Sequence, residues 1–391
     1  VFLKSLRIDS LLSFAPETPA IDLLPLNVLI GPNASGKSNL IEAIELLRST
    51  PTAFAAAIRD GGGVREWLWK GDAAKTATLE ARLCRGGQNT DLRYRLEFTA
   101  AGDRVEVTDE ALEEAERHKP GTKDVYFYYR FQKGHPALNV ASDDGKHVQR
   151  KLKRENLAPD ASVLAQRKEP DLYPELAWCA HSFSRIQTFR EWSFGRYAAV
   201  RQPQPANSPT EVLLPDSSNL GLILNQIEHS SAAKKFHEIL KRFLPRFDRL
   251  STLTQGGTIQ FFLHEDGLNT PIPATRLSDG TIRFLAMSAV LLQPSPPPLV
   301  CIEEPELGLH PDALSIVADL LVDASERTQL IVTTHSDALL SSLSLQPESV
   351  LVCDNLGGTQ MKRLEAEELQ SWLEKYRLGE VWRMGALGGN P

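Results

Sequence analysis

Between Leu26 and Asn39 the chain reads LNVLIGPNASGKSN. An apolar run stops at a glycine, and Gly31, Gly36, Lys37 and Ser38 then fall at G-x-x-x-x-G-K-[ST] spacing. The stretch that follows, SNLIEAIELLRS, carries Leu40, Ile44 and Leu47 at helical spacing. Strand, glycine-rich turn and helix, in that order, are the context in which this pattern cradles phosphate. The glycines allow the backbone to curl so that N–H groups point inward, and the helix start favours anions. Gly31, Pro32, Asn33, Ala34, Ser35, Gly36, Lys37, Ser38 and Asn39 are therefore the expected nucleotide-binding loop. Within it Lys37 can reach the β- and γ-phosphates of ATP, and the Ser38 hydroxyl can ligate Mg²⁺.

A phosphate loop of this kind needs an acidic partner at the end of a second strand. LVCIEEPELGLHP, Leu299 to Pro311, supplies it. Glu303 ends the apolar run and is expected to hold the metal through its water shell. Glu304 faces differently and can poise a water against the γ-phosphate as general base. LIVTTHSDALL repeats the arrangement, and His335 at its strand tip could contact the γ-phosphate or orient Glu304. LSDGTIRF places Ser278, Asp279 and Gly280 before a helix start, a second anion-binding element. One loop already surrounds the phosphates of its own ATP, so the second makes sense if it meets the nucleotide of another copy. ATP then acts as the glue of a homodimer, and hydrolysis releases it.

The bulk numbers fit a globular protein: 391 residues, 42% apolar, 24% charged, net charge -7. That acidity confines any nucleic-acid surface to a local basic patch. Cys84, Cys179, Cys301 and Cys353 form no CxxC pair, which suits free thiols in a reducing, cytoplasmic setting. The opening VFLKSLRIDSLLSF alternates rather than forming a signal-peptide core, and no apolar stretch approaches the ~20 residues of a membrane span. Residues 77–108 alternate between turns and suggest an antiparallel meander, while strand–helix alternation over the last 120 residues or so is α/β behaviour.

With GPNASGKSN, RLSDGTIRFLAM, CIEEPELGLHP and VTTHSD together, the chain resembles the ABC-type ATPases of the RecF and SMC kind. It is most similar to small bacterial AAA-like ATPases related to the ATPase parts of OLD nucleases and of phage-defence ATPases. The resemblance runs over residues 1 to about 60 and 210 to 391 and is poor between. It implies an α/β fold, a P-loop NTPase with an ABC-type ATPase head: a mixed and parallel core sheet, an antiparallel N-terminal sheet, a helical lobe and no long coiled coil. The head is expected in residues 1–133 and 291–391, a loop-rich basic insertion in 134–215, and the helical lobe leading into the signature in 216–290. Ser278, Asp279 and Gly280 then correspond to the signature loop, Glu304 to the catalytic base, Glu306–Pro311 to the D-loop along a dimer interface, and His335 to the switch histidine. Gln187 is the first candidate for the Q-loop glutamine at the metal, with Gln132 its rival.

For DNA, Lys146 to Arg154 and the spaced Arg185, Arg190, Arg196 and Arg201 are the basic elements. The segment after VLVCDNLGG is too short for an appended nuclease domain, so nuclease activity is not expected of this chain, although a partner could supply it. The expected role is a slow, partner- or DNA-stimulated ATPase in DNA repair, maintenance or anti-phage defence. The alternative is a nucleotide-gated sensor holding and releasing a protein effector. His310 is expected at the dimer interface.

Overall fold

All five residues of Leu26–Ile30 are buried, as the sequence LNVLI requires of a central strand. The computed structural model describes the chain except residues 72–75, 88–89, 117–124, 133–134, 142–146, 152–156 and 389–391. For 132, 135, 140–141 and 147–151 it describes the backbone alone. The chain divides into two compact units, Val1–Gln187 with Leu351–Arg363, and Thr188–Val350 with Leu364–Leu387.

In the first unit eight antiparallel strands form one sheet. Their order is Ile21–Asp22, Leu3–Asp9, Thr76–Leu83, Leu92–Ala101, Arg104–Glu114, Phe127–Gln132, His135–Ala141 and His147–Lys151. Strict alternation in TATLEARL puts Ala77, Leu79, Ala81 and Leu83 in the core, with Leu92, Tyr94, Leu96 and Phe98 of the neighbouring strand. Leu79 faces Leu96 in register. The expected meander is present and extends three strands further, through Phe127–Gln132 and into the segment expected to be a loop-rich basic insertion. Strand pairing is made by the backbone, so a polar strand at a sheet edge has no compositional mark. Also in this unit, Leu26–Ile30 neighbours Val350–Asn355, which pairs antiparallel with Thr359–Arg363.

In the second unit Leu299–Glu303 and Gln329–Thr333 pair in parallel, with Glu303 opposite Thr333, and the helix Leu314–Ser325 connects them. A small antiparallel sheet is built from Gln204–Pro205, Thr258–Glu265 and Phe247–Gln255. Within the segment expected to be the helical lobe the chain forms the helices Leu220–Glu228 and Ala233–Phe243. Asp279–Leu291 is a helix buried at every position from Ile282 to Leu291, and Phe243 stacks on its Phe284 with ring centroids 3.9 Å apart. Among the described residues the longest helices have 13 residues, about 20 Å of rise, and none is long and apolar enough to cross a membrane.

One acid of the meander is wholly interior. Glu110 accepts hydrogen bonds from Tyr94 Oη, Ser162 Oγ and the Val163 N–H. Burial nevertheless dominates and pushes its carboxyl up to about 7, against those donors, which favour the charged form. In the unfolded chain the same group ionises near ~4.3. Between these values the folded state binds more protons. Its stability is therefore greatest below the unfolded pKa and declines as pH rises towards the folded one, by roughly 4 kcal/mol. Glu110→Gln should remove that component. Urea unfolding at about pH 5 and about pH 8 checks this. A decline in the variant equal to the parent's would contradict the assignment.

Candidate functional site

The phosphate loop is shaped by positions where a side chain does not fit. Gly31 has φ 147° and Gly36 φ 95°. A Cβ on Gly36 would lie 2.0 Å from Thr359 Oγ1, and one on Gly31 would lie 2.3 Å from the Cys353 carbonyl oxygen. The hairpin Val350–Asn355/Thr359–Arg363 thus closes the back of the loop. Thr359 Oγ1 donates to the Ser35 carbonyl (3.1 Å) and lies 2.6 Å from Ser13 Oγ, which accepts from Asn39 Nδ2 at 2.6 Å. Asn355 Nδ2 donates to the Ala34 carbonyl at 3.0 Å. Sequence reasoning missed Ser13, Asn355 and Thr359, because the bonds from the hairpin to Ser13, Ala34 and Ser35 each span more than 300 residues of chain.

Lys37 is buried, and its ammonium donates to the carbonyls of Gly31 (2.7 Å) and Pro32 (2.9 Å). It stands on the rim of its own loop beside Cys353, whose thiol burial pushes up to about 12 while Lys37 pulls it down. Ser38 is exposed, and Ser35 Oγ is buried without a hydrogen-bond partner among the described residues. A glycine cradle, an orphaned hydroxyl, a lysine on the rim and a free serine fit a nucleotide phosphate with its Mg²⁺. Gln187, the first candidate for the glutamine at the metal, has both its amide oxygen and nitrogen buried without a partner among the described residues.

In the second unit the two strand tips are cross-braced. Glu304 has φ 45°, a left-handed conformation that costs a non-glycine residue roughly 1–3 kcal/mol and clusters at functional sites. Both its backbone groups are held: its N–H donates to the Thr333 carbonyl (3.0 Å), and its carbonyl accepts from Arg283 Nη2 (3.0 Å). The twist turns the Glu304 carboxylate to within 3.7 Å of His335 Nε2. Glu303, the preceding residue, accepts from Arg190 Nε at 3.2 Å. Arg283 is buried and lies over Trp192, 5.7 Å from the ring centroid. Burial lowers its pKa, opposed by the charges of Glu306 and Glu304.

The signature segment is anchored from within the unit. Ser278 Oγ caps the helix by accepting from the Thr281 N–H (3.0 Å), and a Cβ on Gly280 would lie 2.9 Å from the Gly308 carbonyl. Arg201, expected among the DNA-facing arginines, is buried instead. It donates to the carbonyls of Phe194, Ala274 and Leu277 and pairs with Asp279. Arg190 is likewise engaged with Glu303, whereas Arg185 and Arg196 are exposed. The Lys146–Arg154 cluster and Gln132 fall on residues described by backbone alone or outside the described residues. His310 Nδ1 accepts from the Asp312 N–H (3.3 Å) and caps the short turn Pro311–Ala313.

The fold is that of a P-loop head of the ABC and SMC kind. Crystal structures of SMC heads share the fold. One, bound to the C-winged-helix domain of ScpA, superposes with a TM-score of 0.58 at 15% identity, over 94% of this chain and 99% of that one. Another, derived from Pyrococcus furiosus with an extended coiled coil and bound to the C-terminal domain of ScpA, gives 0.57 at 14% identity over 96% and 99%. The chain belongs to the family described as "AAA domain, putative AbiEii toxin, Type IV TA system", which matches residues 26–341. It is also 27% identical over 132 residues to the Old nuclease of Escherichia phage P2, a match spanning 31% of this chain and 22% of that protein.

The glycine geometry gives a direct expectation. Gly36→Ala should lose ATP binding, because the methyl group can be seated only by moving Thr359 and the loop it supports. Fluorescent-nucleotide titration checks it, and parental affinity in the variant would show that the cradle is not the nucleotide site.

Proposed function

We propose that the chain binds Mg·ATP on the Gly31–Asn39 loop and hydrolyses it. The observation that carries this reading is the strained Glu304, its backbone held at both groups and its carboxylate beside His335. The glycine cradle supports it independently. Lys37 leaves its loop carbonyls to pair with the β- and γ-phosphates, and the loop N–H groups hold the phosphate oxygens. Ser38, Glu303 and Gln187 would hold Mg²⁺, which neutralises phosphate charge when bound. Glu304 takes a proton from water as the water oxygen bonds to the γ-phosphorus. The bond from that phosphorus to the β–γ bridging oxygen breaks, and ADP leaves with inorganic phosphate. His335 orients Glu304 and the attacking water.

The Ser278–Gly280 segment caps the nucleotide of a second copy, giving an ATP-sandwiched homodimer. The preformed Ser278 cap, with the Asp279 charge paired to Arg201, supports this by leaving the segment less repulsive to phosphate. Such a device serves DNA repair, maintenance or anti-phage defence, and the local likeness to the phage Old nuclease supports that setting. A nucleotide-gated holder of a protein effector is the second reading. It is favoured by the engagement of Arg190 and Arg201 within their own unit, which removes two of the four spaced arginines from a phosphate-backbone track.

Glu304→Gln should keep ATP binding, lower turnover on the order of 10²-fold or more, and accumulate an ATP-bound dimer. Phosphate release and light scattering read both effects. Monomer alone at saturating Mg·ATP would rule out the sandwich for this chain. Ser278→Arg should leave nucleotide binding to the monomer intact and block dimerisation, whereas parental turnover and dimerisation in that variant would remove the signature role.

A further inference from the structure

Glu306, the third acid of EEPE, takes no part in the proposed hydrolysis, yet its carboxylate is bonded to the neighbouring strand tip. Its Oε1 accepts from Thr334 Oγ1 at 2.8 Å and from the His335 N–H at 2.8 Å. Thr334 Oγ1 in turn accepts from the Ser336 N–H at 3.0 Å. One carboxylate oxygen therefore fixes the backbone on both sides of the His335 side chain. Its Oε2 is buried and has no hydrogen-bond partner among the described residues. Half-satisfied burial of a carboxylate is costly, and an apolar side chain would fill the space without that cost. The charge near it is the buried Arg283, which also holds the carbonyl of the strained Glu304. Glu306 and Glu304 are thus bound to the same guanidinium field, and each also bonds to the Thr333–His335 tip.

We propose that Glu306 is a positioning residue that ties the loop carrying Glu304 to the loop carrying His335 and so fixes the imidazole against the carboxylate. The proposal rests on the catalytic reading of Glu304 and His335, and it adds a residue that neither strand-tip motif assigns. The main-chain bond from Glu304 to Thr333 already joins the two tips. Glu306 controls something narrower, the rotation of the His335 backbone and hence the direction of its ring. A misplacement of about 1 Å in such a pair costs on the order of 10²-fold in rate without changing substrate affinity.

The test compares Glu306→Ala, Glu306→Asp and Glu306→Gln, reading kcat and KM for ATP alongside the His335 amide and imidazole resonances by NMR. Alanine and aspartate should lower kcat on the order of 10²-fold at a KM within about threefold of the parent, and both should shift the His335 amide. Glutamine retains a carbonyl oxygen able to accept from both donors, so it should restore kcat to within about tenfold of the parent and recover the amide position. If alanine does not fold, the aspartate–glutamine contrast decides. Unchanged kcat in the aspartate variant, or equal losses in aspartate and glutamine, would overturn the proposal, as would an unmoved His335 amide. A parent chain that does not hydrolyse ATP would overturn the catalytic reading instead, and the amide shift would still report whether the tie exists.

Discussion

The absence of a side chain at Gly36 is the constraint on which the phosphate loop depends. Thr359 occupies the space a Cβ would need, and that threonine is itself held by Ser13 and by the Ser35 carbonyl. The loop is therefore pressed into shape from behind by a hairpin that arrives more than 300 residues later. A loop held this way presents its N–H groups without having to reorganise when an anion arrives, which is what makes backbone binding of phosphate effective. Lys37 resting on the rim carbonyls supplies the mobile positive charge.

The second unit solves the opposite problem, an excess of negative charge at one strand end. Each of the three glutamates has a different compensation. Glu303 pairs with Arg190, Glu304 has its backbone rather than its carboxylate held by Arg283, and Glu306 is bonded to Thr334 and the His335 amide. The carboxylate of Glu304 is thereby left for His335 and for solvent. An acid that spent its charge on a neighbouring arginine would make a poor base, so the division of partners is itself a chemical argument for Glu304.

Much of this was legible in the chain because local patterns carried it. The run LNVLI followed by G-x-x-x-x-G-K-[ST] set strand, turn and helix in register, and the burial of Leu26–Ile30 and the helix Lys37–Ser49 agree with it. The ABC-type head fold followed from the same motifs in order. What the sequence hid was distant partnership and polar strands. Arg201 looked like one of four surface arginines, and only the folded unit shows it buried among three carbonyls and Asp279. His147–Lys151 looked like a basic loop because its composition is polar, although its backbone pairs with His135–Ala141. Glu306 was visible as a letter, but its role depends on Thr334 and His335, whose closeness comes from the parallel pairing of two strands.

The central claim is that Gly31–Asn39 holds a nucleotide, and calorimetric titration with ATP in the presence of Mg²⁺ tests it most directly. The account predicts saturable binding of one nucleotide per chain that disappears in Lys37→Ala, with the variant still folded by circular dichroism. Binding of equal affinity in parent and variant, or no heat from the parent at millimolar ATP, would contradict it.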